Sequence, residues 1–154
     1  MKSITPQSKL KEEITKLSNA NDWGQVKKEW FFDHAYISER PRECPCGKEN
    51  IWEICVIRNV KNNNIAEVGN VCVRKFMEID ARKFINSIKR VAQHGDRALG
   101  WDVIKHAYEM KWIDEWQFEF YRDTHRKPRT SMSENQIGKR MEINRKILKK
   151  LQCK

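Results

Sequence analysis

Four of the chain's five cysteines fall between residues 44 and 72, in CPCGKENIWEICVIRNVKNNNIAEVGNVC. Cys44 and Cys46 are separated by one residue, so a relaxed disulfide between them is geometrically poor. Both can instead point at one metal ion, with Gly47 supplying the backbone freedom such a turn needs. Cys72 follows Val68-Gly69-Asn70, a second turn-like approach that aims a thiol at the first pair. Soft thiolates select zinc over magnesium or calcium, and zinc takes about four N or S ligands. Three ligands are therefore read as Cys44, Cys46 and Cys72. The fourth is Cys55, which would make an all-thiolate site, or alternatively His34 folded back over it. Against this stands the reading of Cys55 as a buried apolar cysteine in a strand. The spacing C-x-C-x8-C-x16-C is not the paired C-x2-C ribbon. Cys153, near the end of the sequence, is read as a free thiol.

Four protein ligands leave no open position for water, so the zinc is expected to be structural. The chain holds no H-E-x-x-H, no phosphate-binding Walker loop and no G-x-S-x-G, and the H-x-E with P-C-x-x-C pattern of nucleobase deaminases is not met. His94, His106 and His125 are scattered and join no catalytic pattern. A non-enzymatic role is expected.

No apolar run approaches the length of a membrane span, and the first residues lack the apolar stretch of a secretory signal. Together with the odd number of cysteines, this predicts a reducing cytoplasmic setting without disulfides, and no membrane partner.

The secondary-structure signals divide the chain. Thr5-Pro6 opens a helix with Leu10, Ile14 and Leu17 at helical spacing. Residues 26–43, with the aromatic cluster Trp30, Phe31, Phe32 and Tyr36, read as either a strand or a helix end packed on the metal module. Residues 51–59 and the stretch IAEVGNVCV read as a β-hairpin across the asparagines 62–64. Asp80 caps a helix carrying Phe84, Ile88 and Val91 that stops at Gly95. A further helix has Leu99, Val103 and Ala107 on one face, continued by Trp112, Trp116 and Phe120. Ser133 and Gln136 form a capping box for a last helix with Ile137, Met141, Asn144, Leu148 and Leu151 on one stripe. The expected fold class is α+β: an N-terminal helix (1–22), a zinc-stabilised β-hairpin module (23–79) and a helical region with a basic last helix (80–154), together forming one compact unit.

The formal charge of +10 is uneven, because residues 126–154 carry ten Lys/Arg against two Glu. A basic tail on a nearly neutral body predicts a polyanion partner, DNA or RNA. The phosphate contacts are assigned to Arg126, Lys127, Arg129, Lys139, Arg140, Arg145, Lys146, Lys149 and Lys150, with Arg74 and Lys75 beside the metal site. An exposed aromatic such as Trp52 would stack on a base, although core packing is the commoner fate of a Trp.

The motif C-x-C-G, a strand ending in I-R-N, then V-G-N-x-C-V-x-K-F resembles a small zinc-ribbon-like module of uncharacterised phage and mobile-element proteins. W-I-D-E-W-x-F-x-F-Y-R-D-T and the last helix are similar to the rest of such proteins, so the resemblance spans residues 23–150. It implies metal ligation by Cys44, Cys46 and Cys72, with Cys55 matching a cysteine often seen in that strand, and it implies a phage-like origin. It carries no activity. The functional expectation is a zinc-stabilised nucleic-acid-binding protein acting in a host cytoplasm. The alternative is a protein–protein adaptor or inhibitor acting on a host enzyme or defence complex, docking or homodimerising through Ile137, Met141, Leu148 and Leu151.

Overall fold

A computed structural model describes residues 5–77 and 81–151. The Asp80 cap and the Cys153 thiol lie outside the described residues. The chain divides into two units, Met1–Ala81 and Arg82–Lys154. Among the described residues, one antiparallel sheet and seven α-helices make the fold α+β, as expected.

The first unit is built on three strands, β1 (Trp30–Arg42), β2 (Ile51–Asn59) and β3 (Ile65–Gly69), in the order β1-β2-β3. Its helices are α1 (Pro6–Lys16), α2 (Trp23–Glu29) and α3 (Asn70–Met77). Thr5 caps α1 reciprocally with Ser8, with Pro6 in the first turn. The aromatic segment resolves into α2, capped by Asp22, and the long edge strand β1. Two register shifts, at Phe32/His34 and Ile37/Arg42, had blurred its alternation. Pro41 sits in the second irregular stretch, where an edge strand tolerates a residue without an N–H.

The strand after the asparagine turn is shorter than expected. β3 ends at Gly69, and Asn70 begins α3, so Cys72 belongs to a helix. Val73 and Phe76 are buried at a spacing of three, while Val71 is exposed; this helical burial overrides the β-branched character of the segment. The turn itself does more than reverse the chain. Asn62 and Asn64 donate from their side-chain amides to the Leu17 carbonyl, at 2.9 and 2.8 Å, satisfying the end of α1. Buried Glu29 finishes the knot. It accepts from the Asn19 and Ala20 N–H groups and from Asn59 Nδ2, at 2.8–2.9 Å. These bonds, that from Asn59 foremost, hold the Glu29 carboxyl below its usual pKa.

The second unit is helical: α4 (Ala81–Gln93, whose first residue closes the first unit), α5 (Trp101–Glu109), α6 (Glu115–Thr124) and α7 (Glu134–Leu151). The aromatic run 112–120 does not continue α5. Lys111 takes φ 62° and Asp114 caps a new helix, so Trp112 lies outside the helix on which Trp116 and Phe120 share a face. The Ser133–Gln136 capping box forms at 3.0 and 3.2 Å. The core stripe of α7 is Arg140, Ile143, Asn144, Ile147 and Leu151. Of the expected stripe, Asn144 and Leu151 are buried, Ile137 and Leu148 half-buried, and Met141 exposed. Met141 and Leu148 line a small cleft of about 230 Å³ with Val91 and Ala92 of α4.

Tyr121 is the polar hub of this unit. Its hydroxyl accepts from the Leu99 N–H at 2.8 Å and donates to Asn144 Oδ1 at 2.6 Å. Asn144 Nδ2 then donates to the Gly95 and Arg97 carbonyls at 2.9 and 2.7 Å. Ser87 Oγ accepts from the Gly100 N–H, and His125 Nε2 donates to the Leu99 carbonyl. The turn between α4 and α5 is thereby tied to α4, α6 and α7, which satisfies its backbone in the interior.

Candidate metal centre and the basic surface

The antiparallel meander brings the cysteines together. The β1–β2 connection and the β3–α3 junction lie at one end of the sheet, because Gly69 pairs with Ile54 near the start of β2. Within the connection, the Gly47 N–H donates to the Cys44 carbonyl at 2.8 Å and the Cys44 N–H to the Lys48 carbonyl at 2.9 Å. Gly47 takes φ 98°, a conformation that L side chains rarely adopt.

The sulfurs of Cys44, Cys46 and Cys72 lie within 4.8 Å of one another. Cys44 and Cys72 are 3.6 Å apart, and the Gly69 N–H donates to Cys44 Sγ at 3.4 Å. The thiol of Cys72 and the N–H groups of Cys46 and Gly69 hold the Cys44 pKa well below that of an ordinary thiol, despite burial. The proton shared with Cys44 raises that of Cys72. Two buried sulfurs and a half-buried third, with backbone donors facing a thiolate, suit a soft cation. These three residues could hold a metal ion. A cleft of about 360 Å³ opens beside them, lined by Asn50, Trp52, Glu53 and Asn70 among others.

The two candidates for a fourth ligand do not join this group. Cys55 pairs with Ala35 and Val68 in mid-strand and is fully buried. Burial pushes its thiol pKa up to about 12. His34 pairs with Val56, and therefore shares the sheet face opposite to that of Cys55. Its Nδ1 lies 2.6 Å from Asp33 Oδ2. Gly69, whose N–H faces the Cys44 sulfur, was missed as a functional residue; the only trace in the sequence is its place in V-G-N.

The cationic residues separate as sharply. The second unit carries 18 Lys/Arg against 9 Asp/Glu, and the first 13 against 12, so nine of the ten net charges belong to the helical unit. Arg126, Lys127, Arg129, Lys139, Arg145, Lys146, Lys149 and Lys150 are exposed there, and Arg74 and Lys75 are exposed on α3 of the first unit. Arg129 is tied to Asp96 at 2.9 Å. Arg140 corrects the expectation of a surface phosphate contact, since it is only 3% exposed. It donates to the Thr124 carbonyl, and its guanidinium lies 5.9 Å from the centre of the Tyr121 ring.

Lys139, Lys146 and Lys150 follow one another at steps of seven and four, which places them on one row of α7. Beside the row stands Trp116 of α6, 56% exposed and stacked on Phe120 at 5.5 Å. Lys139 Nζ is 5.7 Å from the Trp116 ring, and Lys146 Nζ donates to Gln117 Oε1 at 3.2 Å. Trp52, 48% exposed, is the other open indole. Arg90 and Arg97 escaped the sequence reading. They flank the helix stop in R-V-A-Q-H-G-D-R, outside the basic last quarter.

Fold and site define an α+β protein with a candidate three-cysteine metal centre in one unit and the excess positive charge in the other. No protein-family model, no curated protein and no solved structure matches the chain. Among the described residues, no helix is long and apolar enough to cross a membrane.

Proposed function

We propose that the protein is a zinc-stabilised, non-enzymatic nucleic-acid-binding protein. The observation that carries this reading is the lysine row of α7 with Trp116 beside it. Cations at phosphate-contacting spacing next to an open aromatic face are the combination by which strands are held without base readout. The excess charge of the helical unit favours approach of any polyanion to the same unit.

Zinc is the metal we assign to Cys44, Cys46 and Cys72, on the softness of three thiolates. Bound there, it would staple the β1–β2 connection to the start of α3. The remaining position would take a ligand from outside the three cysteines.

The test is fluorescence anisotropy with labelled single- and double-stranded oligonucleotides across a salt series. Binding is expected at ~50 mM salt, weakening steeply as salt rises. Replacing Lys139, Lys146 and Lys150 by Gln should lower the log–log salt slope by about 2–3, since each phosphate contact contributes about 0.7–0.9. Trp116→Ala should weaken single-strand binding by about 1–3 kcal/mol, the worth of one stacked base. Absence of binding at ~50 mM salt, where phosphate contacts are strong, overturns the reading.

A further inference from the structure

The helical unit contains a cleft of about 420 Å³ between the end of α4, the 94–98 turn and the loop before α7. Arg90, Arg97, Lys127, Arg129 and Arg140 line it, and Asp96, already paired with Arg129, is its one carboxylate. Arg140 differs from the others. It is only 3% exposed, and its Nε–H is buried with no acceptor among the described residues. Its guanidinium has the Thr124 carbonyl and the face of Tyr121 as company, and no carboxylate among the described residues.

A guanidinium stays charged in any protein interior, so a buried one with an unused donor is costly unless an anion completes it. The surroundings are also fixed. Asn144, one turn after Arg140 on α7, holds the Gly95 and Arg97 carbonyls. The same helix thus carries the buried cation and the pin of the turn that bears Arg97. Guanidinium forks present paired N–H donors that match the oxygens of a phosphate, and the several cations lining one cleft favour its double charge over a singly charged anion.

We infer that this cleft is a phosphate-binding site, with Arg140 as its buried floor and Arg90, Arg97 and Lys127 closing over the anion. The inference deepens the proposed nucleic-acid binding, which bears only on whether the phosphate belongs to a strand backbone or is free.

Isothermal titration with inorganic phosphate, at constant ionic strength set by chloride, tests the site on the full chain. Saturable binding is expected. The exposed pair Arg97→Ala, Lys127→Ala should weaken it at least tenfold while leaving the circular dichroism spectrum unchanged. Arg140→Lys, which keeps the charge but not the fork, should weaken it as well. Heat no greater than that of a chloride injection, or affinity unchanged in the Arg97/Lys127 double variant, overturns the site. A second arm titrates phosphate into the complex with an oligonucleotide. Competition assigns the site to a strand phosphate. Phosphate binding with no oligonucleotide binding at all supports the site and sinks the nucleic-acid reading instead.

Discussion

The Cys44 and Cys72 sulfurs stand 3.6 Å apart although 28 positions separate them in the chain. Nothing local does this. The antiparallel order β1-β2-β3 returns the chain to the end of the sheet from which the Cys44 turn projects, and the switch from strand to helix at Asn70 aims Cys72 inward.

Purified without chelator, the protein should carry about one zinc ion per chain. Cys44→Ser, Cys46→Ser and Cys72→Ser should each abolish stoichiometric binding, and Cys55→Ala should leave it intact. Atomic absorption checks the count. In cobalt-substituted protein the thiolate charge-transfer intensity should be that of three sulfurs and unchanged in the Cys55 variant; loss of a quarter of it there would make Cys55 the fourth ligand.

Removing the metal should loosen one end of the first unit rather than unfold it. The sheet buries Ile54, Ile57 and Tyr36 without help from the cysteines, and Glu29 and Asn59 tie its far end. Hydrogen exchange after chelation should therefore rise at residues 44–50 and 69–74 and stay low in the centre of β2.

Glu29 makes stability depend on acid. Its carboxyl titrates below the usual range when folded, so its contribution is full above the unfolded pKa and is lost as pH falls through the lowered folded value. Glu29→Gln should lower Tm at pH 7 and flatten the acid limb of a Tm-against-pH curve. An acid limb as steep as in the parent protein would remove Glu29 as its source.

Tyr121 acts at the other extreme. Burial pushes its phenol up to about 12, so the stability it confers is full below its unfolded pKa of about 10 and is lost as pH rises toward 12. Tyr121→Phe should cost about 1–3 kcal/mol at pH 7, by leaving the Leu99 N–H without its acceptor, and should blunt alkaline unfolding. Asn144→Ala should cost about 3 kcal/mol, because two carbonyls and the Tyr121 hydroxyl lose partners together. Urea denaturation measures both.

Gly138 lies inside α7 with open space where a Cβ would stand. Gly138→Ala should stabilise the protein by about 0.5–1 kcal/mol, the ordinary gain of Ala over Gly in a helix. Thermal denaturation gives the sign directly.

Local hydrogen-bond chemistry made much of this protein legible in its sequence. Thr5-Pro6 and Ser133 with Gln136 act within a few residues of themselves. The asparagine turn reverses the chain locally although its side chains also reach Leu17, so reading these as caps and a turn needs no partner from elsewhere. The three cysteines were legible for a similar reason: their residue type and turn context limit what they can do. Tertiary structure alone decided the rest. Cys55 left the cysteine group because strand pairing fixes it between Ala35 and Val68. Arg140 left the basic surface because the Thr124 carbonyl and the Tyr121 ring meet it inside, which a count of cations along a helix cannot register. Arg90 and Arg97 joined a cleft with Lys127 only once the Asn144 and Tyr121 bonds had folded the intervening turn. Caps and turns are set by neighbours in sequence, whereas burial and charge pairing are set by whatever the other elements bring alongside.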